Sequence, residues 1–317
     1  MKVCCSPDVH ESVRDAISGH PAVSEFVVLD YDTEFSNHSD IQVLIAKKEY
    51  YRWRDLSNLK LYQVATAGYD KVDVQALWTR GVAVCNNGGA NANAVAELTV
   101  SSIIACLRNL TYQHNNVVNG DWECLKHSGE EFASKTLGII GLGKIGSKVA
   151  KIADAFGCRL IGYDTNHRTS SVMSDIGGEF RDLDYLLSAS DIVSLHVPLS
   201  KSNAGMINES FLKKIKNGSI FVNMARGELQ DEIALLDSLE NGKLTAVVLD
   251  VFSKEPYYNQ HLFEYADPNK TGRGSIFLPH TGPSKKTNSN LIKIISQNIT
   301  LLAERKADEL EQVIWYE

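Results

Sequence analysis

Three side chains far apart in the chain, Arg226, Glu255 and His280, are of the types that reduction of a carbonyl acid requires. Arginine offers a permanent planar fork that grips a carboxylate and polarises a carbonyl. An imidazole titrates near operating pH, so His280 is the natural proton donor and acceptor. A glutamate beside it stabilises the protonated ring, and each unit of pKa is worth about 1.4 kcal/mol. Taken singly, each has a plainer reading: a surface ion pair, a solvated acid before Pro256, a histidine satisfied in a core. What links them is position, because each follows a short apolar run, at residues 220–223, 246–249 and 276–278. Such runs read as buried strands, and open α/β sheets build their sites at the carboxyl ends of strands.

A second constellation supplies the partner for that chemistry. Residues 137–140 form an apolar run, followed by Gly141-Leu142-Gly143-Lys144-Ile145-Gly146 and then by Val149, Ile152, Ala153 and Phe156 at helical spacing. A further apolar run ends on Asp164, eighteen residues after Gly146. This is the strand–turn–helix–strand pattern of a dinucleotide site. Gly141 makes the tight turn, Gly143 admits a pyrophosphate to the backbone, and Gly146 lets the helix lie close on the strand. The unpaired N–H groups at the helix start attract the diphosphate. Asp164 accepts from the ribose hydroxyls and repels a 2′-phosphate, which selects NAD over NADP despite Arg168 four residues on.

These elements need a scaffold, and 317 residues suffice for two domains with substantial cores. Hydrophobic residues make up 44% and charged residues 22%, as in globular proteins. A net charge of −7 argues against a nucleic-acid partner. No apolar run reaches bilayer length and no signal-peptide core opens the chain, so a cytoplasmic protein is expected, with no membrane partner. Cys4, Cys5, Cys85, Cys106, Cys124 and Cys158 show no metal spacing, so structural thiols are expected and no metal site. The expected fold class is α/β with two domains. A Rossmann-type doubly wound coenzyme domain over 92–285 is inserted in a smaller flavodoxin-like substrate domain built from 1–91 plus 286–317. Residues 66–70 end the fourth strand of the small domain with a glycine, a possible anion nest or a simple turn. Residues 86–93 read as a hinge. Tyr50, Tyr51 and Trp53 either wall a bulky apolar substrate group or pack the small domain. Lys47 and Lys48 either meet a second anionic group or stay solvated.

The order of these motifs resembles the D-isomer-specific 2-hydroxyacid dehydrogenase family over nearly the whole chain. The marks are Ala67-Gly68-Tyr69-Asp70, Asn91-Ala92-Asn93-Ala94-Val95-Ala96-Glu97, the 136–146 fingerprint, Leu195-His196-Val197-Pro198-Leu199, Asn223-Met224-Ala225-Arg226-Gly227, Asp250-Val251-Phe252 with Glu255-Pro256, and Pro279-His280-Thr281-Gly282. The resemblance implies that Arg226 binds the substrate carboxylate, that His280 is the acid/base and that Glu255 tunes it. It also implies a second hold on the carboxylate at Ala67 and Gly68, with Asn91 on the substrate side. Lys144 and Ile145 would lie over the pyrophosphate of NAD, with Asp164 on the ribose. Val197, Pro198 and Asn203 would lie near the adenosine half, and Met224, Ala225 and Asp250 near the nicotinamide. The implied activity is interconversion of a small 2-oxo acid and its D-2-hydroxy acid, in a homodimer with residues 94–107 and Trp122 near the partner. Two alternatives on the same fold are an NAD-sensing corepressor-like scaffold, and formate or phosphite oxidation. The formate branch pairs its histidine with glutamine rather than with a residue such as Glu255. Three departures stand out: Gly88 where relatives often carry proline, a long stretch over 257–274, and Thr281-Gly282-Pro283-Ser284-Lys285 after the histidine.

Overall fold

Parallel strands buried on both faces read as continuous apolar runs, because alternate residues enter cores on opposite sides of the sheet. The computed structural model describes residues 1–31, 38–47, 50–122, 128–311 and 313–314, with the side chains of 51 and 52 excepted. Its chain divides into two compact units, Met1–Asn91 with Pro283–Glu317, and Ala92–Gly282. The second crossing thus falls three residues earlier than the 285/286 boundary expected from sequence.

In the first unit the chain runs through β1 (Lys2–Cys5), α1 (Glu11–Ser18), β2 (Glu25–Val28), β3 (Val43–Ala46), β4 (Leu61–Val64), α2 (Val74–Thr79) and β5 (Ala83–Cys85). The five strands are parallel in the order β2-β1-β3-β4-β5, the doubly wound order of flavodoxin-like sheets. Val3, Cys5, Val43 and Ile45 face one core, while Cys4, Leu44, Tyr62 and Val64 face the other.

The second unit begins with α3 (Ala92–Leu107) and α4 (Leu110–Val118), then enters its own sheet. There follow β6 (Thr136–Ile140), α5 (Gly146–Ala155), β7 (Arg159–Tyr163), α6 (Ser170–Ser174), β8 (Glu179–Phe180), α7 (Leu183–Ala189), β9 (Ile192–Leu195), α8 (Glu209–Lys214), β10 (Ser219–Asn223), α9 (Glu232–Glu240), β11 (Leu244–Leu249), α10 (Gln260–Phe263), α11 (Pro268–Thr271) and β12 (Ile276–Phe277). Seven parallel strands stand in the order β12-β11-β10-β9-β6-β7-β8. Ile192, Ile220, Val222, Ala246 and Val248 join α3 and α5 in one core; Val193, Phe221, Val247 and Leu249 face α7, α8 and α9 in the other. Polar N-caps start the connecting helices, with Asp182, Asn208 and Asp231 each accepting from a first-turn N–H.

The chain then returns to the first unit as α12 (Lys285–Ala303), opened by a Ser284/Thr287 capping box. Its buried Leu291, Ile295 and Ile299 pack with Val13 and Ile17 of α1. Among the described residues no single helix is long and apolar enough to cross a membrane.

Candidate active site

Because all seven strands of the second unit run parallel, their carboxyl ends share one edge. Along that edge come Asp164 after β7, Gly141–Gly146 after β6, Val197 and Pro198 after β9, Arg226 after β10, Asp250 and Glu255 after β11, and His280 after β12. Strand order reverses between β6 and β9, and a switch point of this kind opens a crevice for ligand.

At the β6–β7 end the backbone does most of the work. Gly141 has φ +92°, and a Cβ there would stand 2.7 Å from the carbonyl oxygen of His196 and 2.8 Å from Cγ1 of Val197. Glycine is therefore needed both for the conformation and for the approach of the β9 tip. A Cβ on Gly146 would meet the carbonyl oxygen of Gly141 at 1.9 Å, so α5 can start there only as glycine. At Gly143, by contrast, a Cβ would have nothing within 4 Å. The space over Gly143 is the cradle that a diphosphate needs, beside Lys144 and Ile145 at the start of α5. Asp164 is fixed by two backbone donors, Leu142 N at 2.7 Å and Asn166 N at 2.8 Å. Its carboxylate is thereby held at the tip of β7, with lone pairs remaining for ribose hydroxyls. Asn203 orders the loop after β9 by donating to the Pro198 carbonyl (2.8 Å) and accepting from Ser200 N (2.7 Å). The residues present thus fit a dinucleotide.

At the β10–β12 end side chains do the work, and each is anchored from beneath. Asn223, buried at the end of β10, accepts from Ala225 N (2.9 Å) and donates to the carbonyl of Arg226 (2.9 Å) and to Oε1 of Gln230 (2.8 Å). Gln230 in turn donates to the carbonyl of Val251 (3.2 Å). This buried pair shapes the turn that carries Met224, Ala225 and Arg226, and Nη1 of Arg226 donates to the Ala225 carbonyl at 2.7 Å. The turn sits directly on the loop after β11, since a Cβ on Gly227 would fall 1.9 Å from the backbone carbon of Phe252.

Glu255 and His280 come together: Oε2 of Glu255 lies 2.8 Å from Nδ1 of His280, and Oε1 accepts from Phe252 N at 3.1 Å. Both side chains are well exposed, at 37% and 45%. A contact so exposed adds little stability; it fixes the orientation of the ring through Nδ1. His280 itself adopts φ +56°, sparsely populated by side-chain-bearing residues. The turn is pinned by Asp250, 2% exposed. The backbone carbonyl of Asp250 accepts from His280 N (2.8 Å), Oδ1 from Thr281 N (2.7 Å) and Oδ2 from Gly282 N (2.9 Å). The Asp250 carboxylate thus holds the histidine turn from beneath. The supporting roles of Asn223, Gln230 and Glu232, which accepts from N and Oγ of Ser253 in the loop after β11, escaped the sequence reading. Asn223 stands in a quoted motif and closes an otherwise apolar strand, but neither signal points to its partners.

His196 is partly buried, with Nε2 at 2.8 Å from Oγ of Ser194 and Nδ1 sequestered without a partner among the described residues. Burial pushes its imidazole down to about 4, so the ring is neutral. Five described cysteines are free and buried, and burial pushes the thiols of Cys4, Cys5, Cys85 and Cys106 up to about 12. They serve as apolar packing; Cys124 lies outside the described residues.

The remaining predicted substrate residues, Ala67, Gly68 and Asn91, belong to the first unit. There the carbonyls of Thr66, Ala67 and Gly68 accept from Asn87 N, Asn86 Nδ2 and Thr66 Oγ1 at 2.9, 2.7 and 2.8 Å. These three bonds fix the loop's carbonyls within the unit. Oδ1 of Asn91 is buried without a partner among the described residues. Tyr50 and Trp53 are 0% and 1% exposed and belong to the core around Tyr62 and Leu77, so they pack the unit rather than wall a substrate. The side chain of Tyr51 and all of Lys48 lie outside the described residues.

A glycine turn, an acid at the tip of the next strand and a switch point define a dinucleotide-binding domain, here joined to a histidine–carboxylate pair. The sequence profile described as "D-isomer specific 2-hydroxyacid dehydrogenase, NAD binding domain" matches residues 100–282. Hydroxypyruvate reductase of Thermotoga maritima is 43% identical over 199 residues, 63% of this chain and 64% of that protein, slightly under two thirds of its length. Glyoxylate reductase of Thermococcus litoralis is 33% identical over 254 residues, 78% of this chain and 74% of that one. The apo structure of Rhodotorula graminis D-mandelate dehydrogenase superposes with a TM-score of 0.85 at 27% identity, covering 99% of this chain and 98% of that one. The chain belongs to the D-isomer specific 2-hydroxyacid dehydrogenase family, and its cofactor is NAD.

Proposed function

We propose that the protein interconverts a small 2-oxo acid and its D-2-hydroxy acid, with His280 as acid/base. The observation that carries this reading is the 2.8 Å contact of Glu255 with Nδ1 of His280, on the same sheet edge as the glycine turn and Asp164. Bound NADH supplies the hydride. Arg226 grips the substrate carboxylate and polarises the adjacent carbonyl. The Ala67 and Gly68 amides give the carboxylate its second hold. In reduction, protonated His280 donates from Nε2 to the developing alkoxide, and Glu255 stabilises the imidazolium through Nδ1. In oxidation, neutral His280 takes the hydroxyl proton, so that direction gains as pH rises. The relatives' names, hydroxypyruvate and glyoxylate reductase, favour a short polar substrate. The burial of Tyr50 and Trp53 removes the main argument for a bulky one.

A kinetic panel of glyoxylate, hydroxypyruvate, pyruvate, a branched 2-oxo acid and 3-phosphohydroxypyruvate with NADH tests this. Turnover of glyoxylate or hydroxypyruvate is expected to lead; no turnover of any member refutes the reading. The protein acts as a homodimer: Leu110, Val117, Val118 and Trp122 are 48%, 45%, 70% and 78% exposed, an apolar run that suits a second copy. A monomeric mass by light scattering would exclude the dimer. Five free, buried cysteines accord with a cytoplasmic setting.

A further inference from the structure

An exposed carboxylate on a loop is poorly suited to orienting an imidazole unless something fixes the loop. Glu255 is such a carboxylate, flanked on either side in sequence by two aromatic residues. The rings of Phe252 and Tyr257 stack with centroids 4.7 Å apart and planes 8° from parallel. Both meet Phe263 edge-on, at 6.3 Å and 83° for Phe252 and at 6.0 Å and 75° for Tyr257. Phe263 in turn lies 5.0 Å from Phe277, in the strand that ends three residues before His280. Nδ2 of Asn259 donates to the Tyr257 hydroxyl at 3.2 Å. One aromatic cluster therefore grips both the loop that carries Glu255 and the strand that carries His280. Phe252 is buried in the main core and Phe263, Phe277 and Tyr257 pack against it, Tyr257 being the half-buried ring that lies just beyond Glu255 on the loop and stacks back on Phe252.

We propose that Tyr257 is a positioning residue for the acid/base pair, its ring closing the 252–257 loop so that Glu255 stays on Nδ1 of His280. The inference rests on the proposed function above. It gives the unusual 257–274 stretch a role: α10, within that stretch, supplies Phe263, the ring that joins the loop to β12.

Tyr257→Ala, Tyr257→Phe and Glu255→Gln separate the possibilities, read as kcat/KM against pH in the oxidation direction. A carboxylate no longer held on the ring favours the neutral imidazole at lower pH. The acid limb of Tyr257→Ala should therefore move toward acid, in the same direction as that of Glu255→Gln. Its kcat for reduction should fall about tenfold, while NADH affinity by fluorescence stays unchanged. Tyr257→Phe keeps the stack and should restore both limb and rate. Glu232 on α9, His261 on α10, Asp250 after β11, Lys254 in the loop and Arg226 after β10 are charged or titratable groups on surrounding elements, common to all three variants. An acid limb unmoved in Tyr257→Ala but moved in Glu255→Gln overturns the inference and leaves the proposed function standing. A limb moved equally by Tyr257→Phe also overturns it, since the phenol and not the stack would then be responsible. No movement in Glu255→Gln, with turnover retained in His280→Ala, overturns the proposed function and this inference with it. If Tyr257→Ala fails to fold, Tyr257→Leu keeps the apolar volume without the stack and carries the same expectation.

Discussion

The two ends of the seven-stranded sheet edge reach a working geometry by different means. At the β6–β7 end, glycines and backbone N–H groups do the positioning, within thirty residues of continuous chain. At the β10–β12 end, side chains do it, and each depends on a supporting partner: Asn223 on Gln230, Glu255 on Phe252, and the His280 turn after β12 on Asp250 after β11. The first end binds because little there can move. The second must let a proton pass, so its reacting groups are exposed and only their supports are buried.

If this division is sound, damage at one end leaves the other working. The largest effect is expected from His280→Ala, with kcat for 2-oxo acid reduction lowered about a thousandfold and NADH affinity unchanged by fluorescence titration. Loss of NADH binding as well would break the division. Next, Gly146→Ala should cost about 3 kcal/mol in urea melts, because its methyl meets the Gly141 carbonyl and α5 must shift. Gly143→Ala makes the sharper contrast: it has room, so its melting temperature should hold while NAD affinity drops about tenfold as the methyl takes the diphosphate's space.

The pH dependence of stability probes the boundary between the ends, at His196. Its folded pKa lies near 4 against 6.5 for the free side chain. Between those values the unfolded chain binds the extra proton, so stability is whole above about 6.5 and is lost as pH falls toward 4. The loss should approach 3 kcal/mol, and His196→Gln should flatten it in urea melts taken across that range. The smallest effect is expected at Asp164→Asn, which should relax the preference for NADH over NADPH in kcat/KM about tenfold without altering the acid/base profile.

The same contrast explains what could be read from the chain. The glycine turn, Asp164 and most strands were legible because local spacing encodes them. β8 was not, being only Glu179 and Phe180, too short to show a period. Arg226, Glu255 and His280 were legible as types of residue, yet the bond between Glu255 and His280 joins positions 25 residues apart and spacing says nothing of it. The anchoring by Asn223, Gln230 and Asp250 was hidden for the same reason. Tyr50 and Trp53 admit two readings from sequence, because an aromatic run beside a strand has the same pattern whether it faces ligand or core, and their burial selects the core.

The division of the chain also has a bearing on the order in which the protein is made. Most of the five-stranded unit leaves the ribosome first, but the helix that covers Val3, Cys5, Val13 and Ile17 comes after 191 intervening residues. The nucleotide-binding unit is contiguous and can close as soon as it emerges. Residues 1–91 must therefore wait for that helix, with one face of their sheet bare.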